Sequence, residues 1–276
     1  MDLIHTVAQL RARLKPERSI ALVPTMGNLH AGHIALVEAA RKHGRSIVAS
    51  IFVNRLQFDP GGDFDRYPRT LDNDCKMLDA AGCDVAFAPD EQEMYPAWQE
   101  IVVAPPAVAS ALEGEHRPGH FQGVATVVTK LFNIVAPQAA VFGKKDYQQL
   151  RVVGALVEQL NFGIEIVGVE TVREADGLAM SSRNGYLSRE ERAEAPRLNR
   201  ALTHIGSRIE AGDRDFERLA AAAAADLAAH GWRVDYVAMR NRASLAPAQP
   251  ADRELVAVAA AALGKTRLID NLEIGF

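Results

Sequence analysis

Residues 20–23 (Ile-Ala-Leu-Val) and 46–53 (Ser-Ile-Val-Ala-Ser-Ile-Phe-Val) are apolar runs without alternation, the pattern of strands buried on both faces of a parallel sheet. Between them residues 34–43 repeat apolar positions at helical spacing and stop at Gly44, and a second helix is expected to begin at an N-cap near Thr70. Residues 84–89, 138–142 and 164–169 read as further strands, and residues 124–135 and 146–160 as helices. The alternation predicts an α/β fold, a Rossmann-like doubly wound parallel sheet. Past residue 172 the texture changes. Residues 188–208 read as one charged amphipathic helix and 216–230 as an alanine-rich one, followed by strand-like segments at 234–239, 255–261 and 266–271 joined by turns. A smaller C-terminal α+β domain follows from this, with the chain expected to divide into residues 1–171 and 172–276.

Composition adds exclusions. The 276-residue chain is 48% hydrophobic and 24% charged, with a net charge of −4, which disfavours a general polyanion binder and makes nucleic acid an unexpected partner. Cys75 and Cys83 form no Cys-X-X-Cys pair and are expected to be reduced structural thiols. The start, Met1-Asp2-Leu3-Ile4-His5, lacks a basic segment followed by an apolar one, and no apolar stretch is long enough to span a bilayer. A cytoplasmic protein with no membrane partner is expected.

The candidate chemistry sits where strands give way to helices. Pro24-Thr25-Met26-Gly27-Asn28-Leu29-His30-Ala31-Gly32-His33 joins the first apolar run to its helix, and a helix mouth presents N–H groups and a favourable dipole to phosphate. His30 and His33, three apart, fall on one face, suited to phosphate oxygens and to charge developing on a departing pyrophosphate. A His-X-X-His pair alone is weak evidence for a metal. Gln57 follows the second strand and offers both a donor and an acceptor to a hydroxylated substrate. Asp63, Asp65, Asp72 and Asp74 are oxygen ligands of the type Mg²⁺ takes, although acids in a first helical turn are equally favoured by the dipole. Gly143-Lys144-Lys145-Asp146 opens another helix with phosphate-binding charge, Asp146 doubling as a cap. Met180-Ser181-Ser182-Arg183 supplies hydroxyls and a guanidinium at the domain junction.

The Gly-X-X-His turn resembles the His-X-Gly-His signature of nucleotidyltransferases and class I aminoacyl-tRNA synthetases. With Phe52-Val53-Asn54, Gln57-Phe58, Tyr67-Pro68-Arg69-Thr70, Arg117-Pro118-Gly119-His120-Phe121, residues 143–149 and residues 172–184, the chain closely resembles the pantothenate synthetase family from about residue 20 to 190. The resemblance implies ATP-dependent condensation of (R)-pantoate with β-alanine through a pantoyl adenylate, releasing AMP and pyrophosphate, in the route to coenzyme A. It implies an ATP site of residues 24–33, Gly143, Lys144, Lys145, Asp146, Val172, Met180, Ser181, Ser182 and Arg183. Within it His33 is the family's proton donor and His30, Lys145 and Arg183 act on the phosphates. Gln57 and Gln149 are implied for pantoate, Gln57 also for β-alanine. Mg²⁺ is expected with ATP, Asp72 and Asp74 being its candidate ligands, and a homodimer is expected.

Three positions depart from the family pattern. Arg55 stands where proline is usual and is expected to loosen its loop. Asn73 interrupts an acidic cluster, and Lys144 replaces Glu or Gln. The competing readings are another nucleotidyltransferase of the same superfamily and a nucleotide sensor without turnover. A dinucleotide oxidoreductase is disfavoured because the first turn lacks Gly-X-Gly-X-X-Gly.

Overall fold

The computed structural model describes residues 1–58 and 64–275. Six parallel strands, β1 (Asp2–Ile4), β2 (Ile20–Thr25), β3 (Ser46–Ile51), β4 (Val85–Phe87), β5 (Ala139–Gly143) and β6 (Glu165–Val169), form one sheet in the order β1-β4-β3-β2-β5-β6. The strand order reverses at β2, which pairs with β3 on one side and β5 on the other. Ligands of open α/β sheets bind beyond the carboxyl ends of such strands.

Helices cover both faces, which is why these strands lack alternation. Ile20 and Leu22 of β2 face α1 (Val7–Leu14), α6 (His120–Val135) and α7 (Tyr147–Gln159). Ala21 and Val23 face α2 (Ala31–Ala40) and α3 (Leu71–Ala80), and two single-turn helices, α4 (Glu91–Met94) and α5 (Glu113–His116), follow β4. Each fully buried Leu, Val or Phe side chain contributes about 1.5–3 kcal/mol, so the site-bearing strand ends stand on a rigid platform.

The C-terminal layer pairs β7 (Trp232–Asn241), β8 (Glu254–Leu263) and β9 (Thr266–Gly275) antiparallel. Leu255, Ala257, Ala259 and Ala261 of β8 pack against α9 (Arg197–Glu210) and α10 (Phe216–Ala229). Val256 and Val258 on its other face join Leu112 and Tyr147 of the first layer. The small alanines let these layers approach closely.

Several elements differ from expectation. Helix α2 starts at Ala31 rather than residue 34, because His30 caps it. The expected 188–208 helix is two, α8 (Arg189–Glu194) and α9, broken at Pro196, whose ring cannot continue the first. The pair β1 and α1 was not expected at all. Both cysteines are free, as expected. No helix among the described residues is long and apolar enough to cross a membrane. Asp63 lies outside the described residues.

Candidate functional site

The turn after β2 is held from beneath by Asp74. Its buried carboxylate accepts the backbone N–H groups of Asn28 (3.0 Å) and Leu29 (2.9 Å) and the Thr70 hydroxyl (3.1 Å). Gly27 has φ +79°, and a Cβ there would stand 3.0 Å from Asp74 Oδ2, so glycine answers both the conformation and the space. This corrects two expectations. Asp74 is spent on the backbone and Asp72 is exposed on α3, and neither lines the cavity described below, so the pair does not fit a Mg²⁺ site. Thr70 occupies the N-cap position of α3 but makes no side-chain cap bond, because its hydroxyl serves Asp74.

At the mouth of α2 the two histidines cap the helix reciprocally. His30 Nδ1 accepts from Gly32 N (3.1 Å), and His33 Nδ1 accepts from His30 N (3.3 Å), the rings lying 4.1 Å apart. A ring nitrogen that accepts a backbone N–H carries no proton, so each neutral imidazole is protonated on Nε2. Burial pushes His30 down to about 4, helped by Lys145. Burial, then the neighbouring His30, pushes His33 down to about 3. Both are neutral Nε2–H donors at pH 7 rather than cations.

After β3, Asn54 is buried and organises the turn carrying Gln57. Its Nδ2 donates to Gln57 Oε1 (3.0 Å) and to Gly123 O (3.2 Å), and its Oδ1 accepts from the Tyr95 hydroxyl (2.7 Å). Gly123 lets α6 meet this turn directly, since a Cβ there would lie 2.2 Å from Leu56 O. The Gln57 carbonyl accepts from His120 Nδ1 (2.9 Å) and Arg117 Nη2 (3.2 Å). His120 Nε2 faces Arg117 Nη1 at 3.2 Å, so His120 is the opposite tautomer, and burial followed by Arg117 lowers it to about 4. Arg55 is anchored rather than loose: it pairs with Glu91 at 2.9 Å and lies 3.9 Å over the Phe64 ring.

Beyond β5 the adjacent lysines part company. Lys145 lines the cavity, whereas Lys144 reaches away to Glu170 and to Glu273 (2.8 Å). The expected phosphate contact by the Lys144 side chain is therefore corrected to a tie between the two sheets. Asp146 occupies the N-cap position of α7 without a side-chain cap bond and borders the cavity instead. The two glutamines that follow also separate. Gln148 is buried, accepting from Glu113 N and donating to Val108 O and Ala111 O, while Gln149 lines the cavity.

The last wall is the segment after β6. Met180 N bonds to Val172 O at 3.0 Å, and the Ser182 hydroxyl donates to Asn28 O at 3.1 Å, bridging to the histidine turn. One cavity at the β2/β5 reversal is thus bordered by Pro24, Thr25, Met26, His30, Gly32 and His33. Gln57, Gly143, Lys145, Asp146, Gln149, Val172 and residues 180–183 border it as well. Gly27, Asn28, Leu29 and Ala31 shape the turn without bordering the cavity. Asn54, Arg117, His120 and Tyr67 also border it. All four lie within the family motifs, yet nothing local in the sequence marks them for a role. No cluster of three or more His, Cys, Asp or Glu able to hold a metal occurs among the described residues. The arrangement gathers neutral and cationic donors and two carboxamides around one cavity, which suits a polyphosphate beside a small hydroxylated acid.

Comparison with known proteins finds relatives of one kind along the whole chain. A family model described as Pantoate-beta-alanine ligase matches residues 2–273. The chain is 58% identical to the pantothenate synthetase of Nitrosospira multiformis over 274 residues, 99% of this chain and 98% of the relative. It is 59% identical to that of Thiobacillus denitrificans, covering 99% and 97%. The crystal structure of pantothenate synthetase from Thermus thermophilus superposes with a TM-score of 0.96 at 47% identity, covering both chains completely. A pantoate-beta-alanine ligase from Francisella tularensis, complexed with beta-gamma ATP and beta-alanine, gives 0.77 at 32% identity, covering 99% and 97%.

Proposed function

The chain belongs to the pantoate-beta-alanine ligase family, and from that premise we propose how its own residues join pantoate to β-alanine at the expense of ATP. The products are pantothenate, AMP and pyrophosphate. In the first half-reaction a pantoate carboxylate oxygen bonds to the α-phosphorus while the bond from that phosphorus to the oxygen bridging to the β-phosphate breaks, giving pantoyl adenylate and pyrophosphate. In the second, the β-alanine amine attacks the activated carbonyl carbon, the bond to AMP breaks, and the amine loses its proton to solvent.

The observation that carries the residue assignments is the convergence of His30, His33, Lys145 and Arg183 with Gln57 and Gln149 on one cavity. The two Nε2–H groups donate to phosphoryl oxygens, and Lys145 and Arg183 balance the charge that grows on the leaving pyrophosphate. His33 acts as a hydrogen-bond donor rather than a proton donor, because an imidazole held neutral near pH 7 has no acidic proton to deliver. Gln57 and Gln149 hold pantoate, and Gln57, whose amide nitrogen also contacts Met26 Sδ at 3.2 Å, borders the β-alanine approach. Pro24, Thr25, Met26 and Gly32, with Val172, Met180, Ser181 and Ser182, enclose the nucleotide. Catalysis is mainly positioning and electrostatics.

Mg²⁺ enters as the counterion of ATP. Asp72 and Asp74 do not fit it, because Asp74 is bonded to the backbone of the histidine turn and Asp72 lies away from the cavity. A division of the chain at residues 171 and 172 is supported by Leu178 joining the second core. A homodimer working in the cytoplasm, with only small-molecule substrates, completes the proposal.

AMP release from ATP and Mg²⁺, measured with both pantoate and β-alanine and with each omitted, tests the assignment. AMP is expected only with both. AMP formation indifferent to pantoate would favour another nucleotidyltransferase, and ATP binding without turnover a sensor.

A further inference from the structure

Asp270 and Asn271 are neighbours on β9, both buried, and each holds a different wall of the cavity. The Asp270 carboxylate receives Arg173 in a fork, Nη1 at 2.8 Å and Nη2 at 2.9 Å, and also accepts Asn199 Nδ2 at 3.3 Å. Arg173 Nη2 continues to the Asn271 carbonyl at 3.1 Å, and Nη1 to Gly177 O at 3.1 Å. Arg173 begins the folded-back segment whose return leads into Met180, Ser181, Ser182 and Arg183, and its bridge to Ala179 closes that segment on itself.

Asn271 leaves the strand toward the first layer. Its Nδ2 donates to Lys144 O at 2.8 Å and to Lys145 O at 3.0 Å, two successive carbonyls of the turn that carries Lys145. A carboxamide is the side chain for this task, since both of its N–H donors serve two acceptors and it adds no charge beside Lys145. A planar fork on a carboxylate likewise fixes direction as well as distance. The strand is anchored, with β9 paired to β8 along ten successive positions.

We infer that Asp270 and Asn271 are positioning residues for adenylate formation, setting the separation of Lys145 from Arg183 through one peptide unit of the C-terminal sheet. Asn271 does not border the cavity, and Asp270 reaches only an adjoining one that shares Lys145 and Arg183 with the first, its carboxylate taken up by Arg173 and Asn199, so both act through other side chains. The inference rests on the reading that Lys145 and Arg183 act on the ATP phosphates. It goes further in giving the C-terminal sheet a defined part in the first half-reaction. The second half-reaction, in which no pyrophosphate leaves, does not need that spacing.

The test measures the half-reactions separately. Single-turnover pyrophosphate release from ATP and pantoate reports adenylation, and AMP release from supplied pantoyl adenylate with β-alanine reports the second step. Asn271→Ala is expected to slow adenylation more than about tenfold, the scale of a mispositioned charge-stabilising group, with the pantoate KM and the second step unchanged. In a Lys145→Ala background the same substitution should add less than about twofold, because both changes then act through one group. Arg173→Lys, which keeps the charge and loses the fork, should show the same selective loss and decides the matter if Asn271→Ala does not fold. Equal slowing of both half-reactions, or full additivity with Lys145→Ala, overturns the inference while leaving the assignment of Lys145 intact. Lys145→Ala with wild-type adenylation would instead overturn the reading beneath it, and the inference with it.

Discussion

His33 Nδ1 accepts the backbone N–H of His30 at 3.3 Å, so the residue that opens the helix and the residue one turn into it settle each other's geometry. With His30 Nδ1 on Gly32 N, both acceptor nitrogens are consumed within the turn, and only Nε2–H remains for a ligand. The caps fix a donor array before ATP arrives, and low proton affinity keeps it neutral.

If His33 works as a neutral donor, a side chain with an amide N–H should replace it in part. His33→Ala is expected to cut adenylate formation more than tenfold, as loss of a transition-state hydrogen bond costs about 3 kcal/mol. His33→Gln should recover at least about threefold of that loss. Single-turnover rates for the two variants check it, and equal rates would restore an acid role for His33.

The same histidines make stability depend on pH. His30 and His120 sit at about 4 and His33 at about 3, all below the ordinary 6.5, so the unfolded chain binds protons first as the pH falls. Their contribution is complete above about pH 6.5, shrinks as the pH drops toward about 4, and changes little below the folded-state values. Near pH 5 unfolding should take up about three protons from these groups. Urea midpoints between pH 7.5 and 5 measure the slope, and substituting glutamine at all three positions should flatten it.

Asp74 and Asp72 separate a structural role from a metal role. Asp74→Asn weakens two charge-assisted bonds to backbone N–H groups and should destabilise the fold by about 2–3 kcal/mol. Asp72→Asn, at an exposed position, should change stability by less than about 0.5 kcal/mol and leave the Mg²⁺ dependence of the rate unaltered. A shifted Mg²⁺ requirement in Asp72→Asn would return that residue to the metal.

Adjacent Gln148 and Gln149 provide an internal control. Gln149→Ala should raise the pantoate KM by about tenfold or more, the scale of a lost substrate hydrogen bond, without lowering the melting temperature. Gln148→Ala removes the side-chain partner of Glu113 N and Val108 O and one of the two donors to Ala111 O, which keeps Gly114 N, and should lower stability first. The reverse pattern would exchange the two assignments.

The contrast between those glutamines marks what the sequence can disclose. Apolar runs such as residues 20–23 and 46–53 announce their strands because burial on both faces leaves no polar alternation. The three-residue β1 offers no such length, and it is a strand only because Val85, Ala86 and Phe87 pair with it. Local motifs marked the histidine turn, Gln57 and the segment ending at Arg183. They could not tell that Asp74 reaches 46 residues back to Asn28, or that Lys144 turns to Glu273 while Lys145 turns to the cavity. Those outcomes belong to the juxtaposition of strand ends. Asn54 and Asn271, each a single buried carboxamide, carry no spacing signal at all.

Exchange of labelled pyrophosphate into ATP, in the presence of pantoate and the absence of β-alanine, tests the central claim most directly. The account predicts exchange that requires pantoate, because a reversible adenylate forms before the amine is needed, and loss of that exchange in Lys145→Ala. Exchange without pantoate, or ligation that proceeds with no exchange under any condition, would contradict the adenylate route assigned to this cavity.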